Sequence, residues 1–469
     1  MIFKFYTKIK KEVIIFSTLV FSTLIALFIW DKIIIPYDLS NKGFEGPWTQ
    51  GYHPQNDTLK FFIYILLTIM PFFFILNKLY KNNIFSITGF LKIDSIGKEN
   101  KNKEKHFGYM FYFLIFLLFI EFFFIDFKIF ISPIDIFHEG LWLTPSSNFR
   151  LTGGIWSSSF LERGFFGNLF PTILSSLSSD NLIGVSRFCS LLLLFTNKVL
   201  IIFLAKNIST DIAYEGIKKI FFFVFLVIIL LSFVDYYDTS HFSKRHSLYL
   251  LFFNILFLSI PVNNKISLSN TFLGLIALMS FFWWLDIALY LNAVSLIVLF
   301  FYFYRKEYYK ILSYIFGYLI GLTLILILLP NFELELFVSN SINVVKSLEI
   351  VGNLKYPSPL FGGDGRATKT LIFFTLTGVL TLATCLFKNN KLNNNLRLFY
   401  FFFFIASLLS FKYGLARSDG GHIQIGSSTM LAILSSLVLY YIFELINFFN
   451  LKQVTVIIKK YSIILILSI

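Results

Sequence analysis

The stretch VIIFSTLVFSTLIALFIW, residues 13–30, decides how the chain is read. Lys4, Lys8, Lys10 and Lys11 precede it, the order of charge and apolar run that a signal peptide also shows. Its 18 residues nevertheless exceed the roughly 7–15 of a signal-peptide core, and no small-x-small cleavage site follows. Bilayer hydrocarbon takes roughly 20 apolar residues as helix, because a helix satisfies its own backbone polar groups where no water can. The segment is therefore expected to be an uncleaved first span.

Outward from it, eleven more stretches of the same kind follow, near 61–77, 108–125, 182–204, 220–234, 247–261, 270–285, 287–304, 311–329, 370–387, 398–413 and 423–446. The expected fold is an all-α polytopic membrane protein of about 12 transmembrane helices forming one integral domain over 1–469. The chain shows no internal repeat and no soluble domain, and Tyr461–Ile469 is too short to cross and reads as an interfacial end. Composition agrees: hydrophobic residues make up 57% of the chain, above the roughly 45–50% apolar share of a soluble domain, and 20% of it is aromatic. A net charge of +14 does not point to nucleic acid, since the basic residues fall in short runs between apolar stretches, as topology signals do. Cys189 and Cys385 lie far apart inside apolar segments and read as small core hydrophobes, not as a disulfide or metal pair.

Lysine and arginine set the orientation. The loop 77–107 carries Lys78, Lys81, Lys92, Lys98, Lys101, Lys103 and Lys105 and is expected in the cytoplasm, with both termini. Segments 31–60, 126–181 and 330–369, and the shorter turns 235–246 and 412–422, then face the extracytoplasmic side of the inner membrane.

Nearly all clusters of unlike polar residues fall on that side. IDIFHEG, from Ile134, puts Asp135, His138 and Glu139 within one helical turn, where an acid and an imidazole can share a hydrogen bond and keep a carboxylate ready as a general base. The same residues suit a helix start in which Asp135 caps the first turn and Glu139 is solvated. The second histidine of a zinc-binding HExxH is missing. The sequence specifies no cofactor, and carboxylates of this kind also suit a divalent metal, magnesium or manganese. KYGLARSDGGH places Arg417, Asp419 and His422 at a span boundary, and arginine offers a planar fork of donors matched to phosphate oxygens. DYYDTSHFSKRHS adds Asp235, Asp238, His241, Lys244, Arg245 and His246, and FGGDGRATK adds Asp364 and Arg366. Asp286 follows Trp283 and Trp284, while the first outer segment holds Asp38, Glu45, His53 and Asp57 without a compact pairing.

In its many-span architecture, its acid-bearing DIFHEG and its ARSDGGH motif, the chain resembles the GT-C class of integral-membrane glycosyltransferases. The resemblance implies transfer of a sugar from a polyprenyl-phosphate or polyprenyl-diphosphate donor to a glycan or lipid acceptor of the cell envelope. It implies Asp135, with His138 and Glu139 beside it, as the catalytic group, and Arg417 on the lipid phosphate with Asp419 and His422 in support. Arg163, Arg245 and Asp235 are further candidates for substrate contact. The chain departs from the class in one respect: the class acid commonly lies in the first outer loop, which here offers Asp38 or Glu45, whereas the richest cluster lies in the second. Two other readings are an envelope transporter, flippase or polymerase, and a non-catalytic assembly protein. Ionisable groups gathered at the outer boundary, not at mid-bilayer, argue against an ion relay.

Overall fold

The computed structural model describes residues 2–36, 55–79, 105–125, 132–161, 164–175, 182–212, 214–235, 241–262, 264–329, 331–351, 354–362, 364–386 and 392–448. These hold sixteen α-helices and no strand. In chain order they are α1 Ile2–Ile29, α2 Asn56–Leu79, α3 Lys105–Phe123, α4 Ile136–Thr152, α5 Phe165–Ser175, α6 Leu182–Thr210, α7 Ile217–Leu231, α8 Ser247–Ser259, α9 Leu268–Trp283, α10 Leu285–Tyr304, α11 Tyr308–Leu328, α12 Asn331–Val351, α13 Gly365–Leu386, α14 Asn394–Ser410, α15 Lys412–Ala416 and α16 Gly420–Phe448. Nine helical segments among the described residues are long and apolar enough to cross a bilayer, and each coincides with an expected span. The other three expected spans are also helical but shorter: α7, α8 and α9 have 15, 13 and 16 residues. At about 1.5 Å per residue, α8 reaches only about 20 Å, against a hydrocarbon core of about 30 Å. Its flanks are covered by protein, since it packs on α6, α9 and α14.

One polar side chain inside the bundle is satisfied by its neighbours. Asn254 of α8 donates to the carbonyls of Leu200 and Leu250, and accepts from Asn207 of α6. The tightest helix pair is α9 with α11, and glycine makes it possible. A Cβ on Gly274 would lie 1.9 Å from the Tyr314 carbonyl oxygen, and one on Gly317 would lie 1.8 Å from that of Thr271. Two backbones therefore meet through reciprocal glycines, the small-residue packing that replaces the hydrophobic effect inside a bilayer.

The interhelical turns sort to two ends. At one, Lys310 Nζ donates to the Ile260 carbonyl and bonds Glu307, Asn264 donates to the Lys306 carbonyl, and Ile212 bridges Leu392. At the other lie the starts of α2, α8, α10, α13 and α16 and the ends of α9 and α14. There the segment 354–358 is strapped across the bundle. Tyr356 donates its N–H to Asp57 Oδ2 at 2.6 Å and its hydroxyl to the Ala367 carbonyl, while Ser358 bonds Asp31. The Tyr356 ring is fully buried against Trp30 and Phe411. This second end carries the clusters singled out in the sequence.

Candidate functional site

The end of α14 determines the geometry of ARSDGGH. After Ser410 the chain turns through Phe411 into the short α15, and Arg417 then becomes extended at φ −144°, ψ 97°. Extension lets it pair in parallel with Leu354, whose carbonyl accepts from the Ser418 N–H at 3.2 Å. Asp419 opens α16: its Oδ1 accepts from the His422 backbone N–H at 2.9 Å and from the ring Nδ1 at 2.7 Å. Its Oδ2 accepts from Arg417 Nε at 2.9 Å. Burial works against the charge of Asp419, but the His422 hydrogen bonds and the Arg417 charge outweigh it and hold the carboxyl below the usual range. The side chain of Arg417 is 48% exposed, so its fork reaches beyond this pairing.

Beneath this rim, cations and rings alternate. The His422 ring stacks on Tyr413 at 4.7 Å and 27°. Over Tyr413, at 3.8 Å, lies the guanidinium of Arg245, which is buried and ion-paired with Asp286. Trp283 Nε1 donates to the Arg245 carbonyl at 3.2 Å, and Trp284 lies 6.0 Å from its guanidinium. Trp142 of α4 meets Trp284 edge-on at 5.7 Å and takes Lys244 Nζ 3.8 Å from its own ring centroid. Residues from four stretches of the sequence thus form one contact path from α4 to Arg417. Nearby, Gln424 Nε2 and His241 Nδ1 are 3.3 Å apart. His246 is fully enclosed, and burial together with the adjacent Arg245 charge pushes its pKa down to about 3, so it is neutral.

Around DIFHEG the arrangement differs from a shared acid–imidazole hydrogen bond. Glu139 turns to Arg187 of α6 and accepts from Nε at 2.7 Å and Nη2 at 3.0 Å. Arg187 also donates to the carbonyls of Ser132 and Pro133, and the Asp135 N–H donates to Glu139 Oε2. The Arg187 hydrogen bonds hold the Glu139 carboxyl below the usual carboxylate range. Glu139 thereby clips the turn before α4 to a span. Asp135 stands exposed just before that helix. Gly153, at φ +73°, ends α4 in the left-handed conformation that glycine adopts without strain. Asp235 is exposed beyond α7. The side chain of His138, and Arg163, Asp38, Glu45, His53 and Asp238, lie outside the described residues.

Two carboxylates carry more of the structure than their sequence setting reveals. Glu333, at the start of α12, is buried and accepts from the N–H groups of Ile155 and Trp156 at 3.0 and 2.7 Å and from the Ser157 hydroxyl. It pins α12 to the loop after α4. Asp57 and Lys60, both nearly inaccessible and 4.0 Å apart, form the second such feature. Their i, i+3 spacing at the start of a span was the available signal. Asp364 receives the Nε and Nη2 of Arg366, each at 3.2 Å. Among the described residues no three His, Cys, Asp or Glu side chains gather as a ligand set for a metal. No family model, curated protein or solved structure matches the chain.

Proposed function

We propose that the chain is an integral-membrane glycosyltransferase that moves a sugar from a polyprenyl-phosphate or polyprenyl-diphosphate donor to a glycan or lipid acceptor of the cell envelope. The observation that carries this reading is the convergence, at one end of an apolar bundle, of an exposed arginine held by Asp419 with the Arg245–Asp286 pair, Trp284 and the Trp142 helix. A lipid-linked sugar keeps its isoprenoid among the spans and its phosphate at headgroup depth, the depth this reading gives Arg417 at the start of α16. In the reaction, the acceptor hydroxyl gives its proton to Asp135 and its oxygen forms the bond to the anomeric carbon. The bond from that carbon to the phosphate oxygen breaks, and the lipid phosphate leaves with the electron pair, its growing charge met by Arg417. On this reading the chain crosses twelve times, the short α7, α8 and α9 included, with both termini in the cytoplasm as the basic loops suggest and this end outside the inner membrane. Transfer of labelled sugar from lipid-linked donors in isolated membranes is expected to fall sharply for Asp135→Asn and Arg417→Ala; full activity in both variants would remove the site assignment.

A second reading, movement of a lipid-linked glycan across the bilayer, is favoured by one feature: Glu121 of α3 pairs with Lys198 midway along α6, between two spans. The transporter reading requires that pair for movement. The transferase reading treats it as helix-to-helix glue, so Glu121→Gln is expected to leave transfer within about twofold of wild type.

A further inference from the structure

Resting on the reading of Arg417 as the phosphate contact, we propose that Arg366 is a second phosphate-binding cation of the same site and that the two arginines select a lipid diphosphate over a lipid monophosphate. Arg366 is the second residue of α13, and Arg417 is the extended residue between α15 and α16. They meet at two consecutive residues. Arg417 Nε is held by Asp419 Oδ2, while the Arg366 guanidinium lies against Gly420, where a Cβ would fall 2.2 Å from Nη1 and 3.1 Å from Cζ. In this arrangement a side chain at 420 would displace the second guanidinium from its place beside the residue that orients the first.

Each guanidinium is engaged by a carboxylate along one edge and keeps donors that this pairing does not use. Arg366 gives Nε and Nη2 to Asp364, and its Nη1 donates to none of the described residues. Arg417 gives Nε to Asp419, and neither of its Nη atoms donates to the described residues. Their side chains are 69% and 48% exposed. A carboxylate on one edge sets the plane of a guanidinium, so the remaining donors are oriented before a ligand arrives. Because Asp364 and Asp419 offset the two charges, recognition depends on the placing of these donors more than on net charge. Two oriented forks flanking Asp419 and Gly420 suit two linked phosphates, whereas a single phosphate on Arg417 leaves Arg366 unused. A diphosphate can be lipid-linked or free; the position of this rim at the end of an apolar bundle selects the lipid-linked form.

The test uses the purified full-length protein in phosphatidylcholine nanodiscs, with farnesyl diphosphate, farnesyl monophosphate and inorganic pyrophosphate as probes. Wild type is expected to bind farnesyl diphosphate about tenfold more tightly than the monophosphate, the worth of one added charged hydrogen bond. Arg366→Gln is expected to abolish that preference by weakening only the diphosphate, and Gly420→Ala to do the same by displacing the guanidinium, with unchanged melting temperatures for Arg366→Gln and wild type. Equal affinity of wild type for the two lipids, or equal weakening of both by Arg366→Gln, would overturn the inference. Pyrophosphate binding as tightly as farnesyl diphosphate would overturn the lipid-linked assignment. Sugar transfer is measured separately: a diphosphate preference without transfer supports this inference and counts against the transferase reading, while transfer without the preference overturns this inference alone.

Discussion

Arg245 and Arg417 belong to one contact path but have opposite surroundings. Arg245 is 5% exposed and enclosed by Asp286, Tyr413 and Trp284, so its charge is committed to the framework. Arg417 is half exposed and committed along one edge only. Arg245→Ala leaves Asp286 without its cation and is expected to cost about 3–5 kcal/mol, read as a large drop in melting temperature in detergent. Arg417→Lys is expected to stay within about 0.5 kcal/mol of wild-type stability yet to lose most sugar transfer, since lysine lacks the planar fork. Glu139 gives a pH prediction. Its folded pKa is depressed by Arg187, so the stabilisation is complete above the unfolded value of about 4.3 and is lost as pH falls through the lower folded value. Melting temperature should therefore fall on acidification below about pH 4.3, and Glu139→Gln should remove this part of the pH dependence while lowering stability at pH 7 by about 2 kcal/mol. An unchanged acid profile in that variant would show that the Arg187 clip carries no stability.

At the scale of elements, the α9–α11 contact is the most sharply testable. Alanine at Gly274 or Gly317 drives a methyl into a backbone carbonyl that cannot swing aside, so each substitution is expected to cost about 1–3 kcal/mol. The two sites share one interface, and the double variant should cost less than the sum, as thermal unfolding of the four proteins would show. The helices themselves were legible in the sequence, because an apolar run of bilayer length has few alternatives to helix. Helices α5 and α12 were not, since they sit inside segments that read as loops, and of α4 only the start at Asp135 was offered. The polar clusters were legible as clusters, but their partners were not. Nothing near Glu139 announces Arg187 on a span, nothing near Arg245 announces Asp286, and Glu333 takes its donors from Ile155, Trp156 and Ser157, far earlier in the chain. Periodicity reports which face of a helix is apolar; it carries no information about which distant loop meets that helix at its end.

For the whole molecule, the separation into two polar ends makes orientation measurable. Both native cysteines are buried, so single-cysteine labelling starts from a low background. Lys412→Cys, at the Arg417 end, is expected to react with a membrane-impermeant thiol reagent on intact cells, and Lys265→Cys, in the turn between α8 and α9, only after permeabilisation. The reverse pattern would invert the assigned sidedness. On the proposed function this end performs group transfer, not movement of a lipid-linked glycan, and one experiment separates the two. The purified protein in liposomes is given labelled polyprenyl-linked sugar and an acceptor, and glycosylated product and released lipid phosphate are both measured. Under the proposed transfer the two are expected in equal amounts, and both are expected to disappear with Arg417→Ala. Sugar-lipid that changes leaflet with its phosphate linkage intact, and with no product formed, would contradict it.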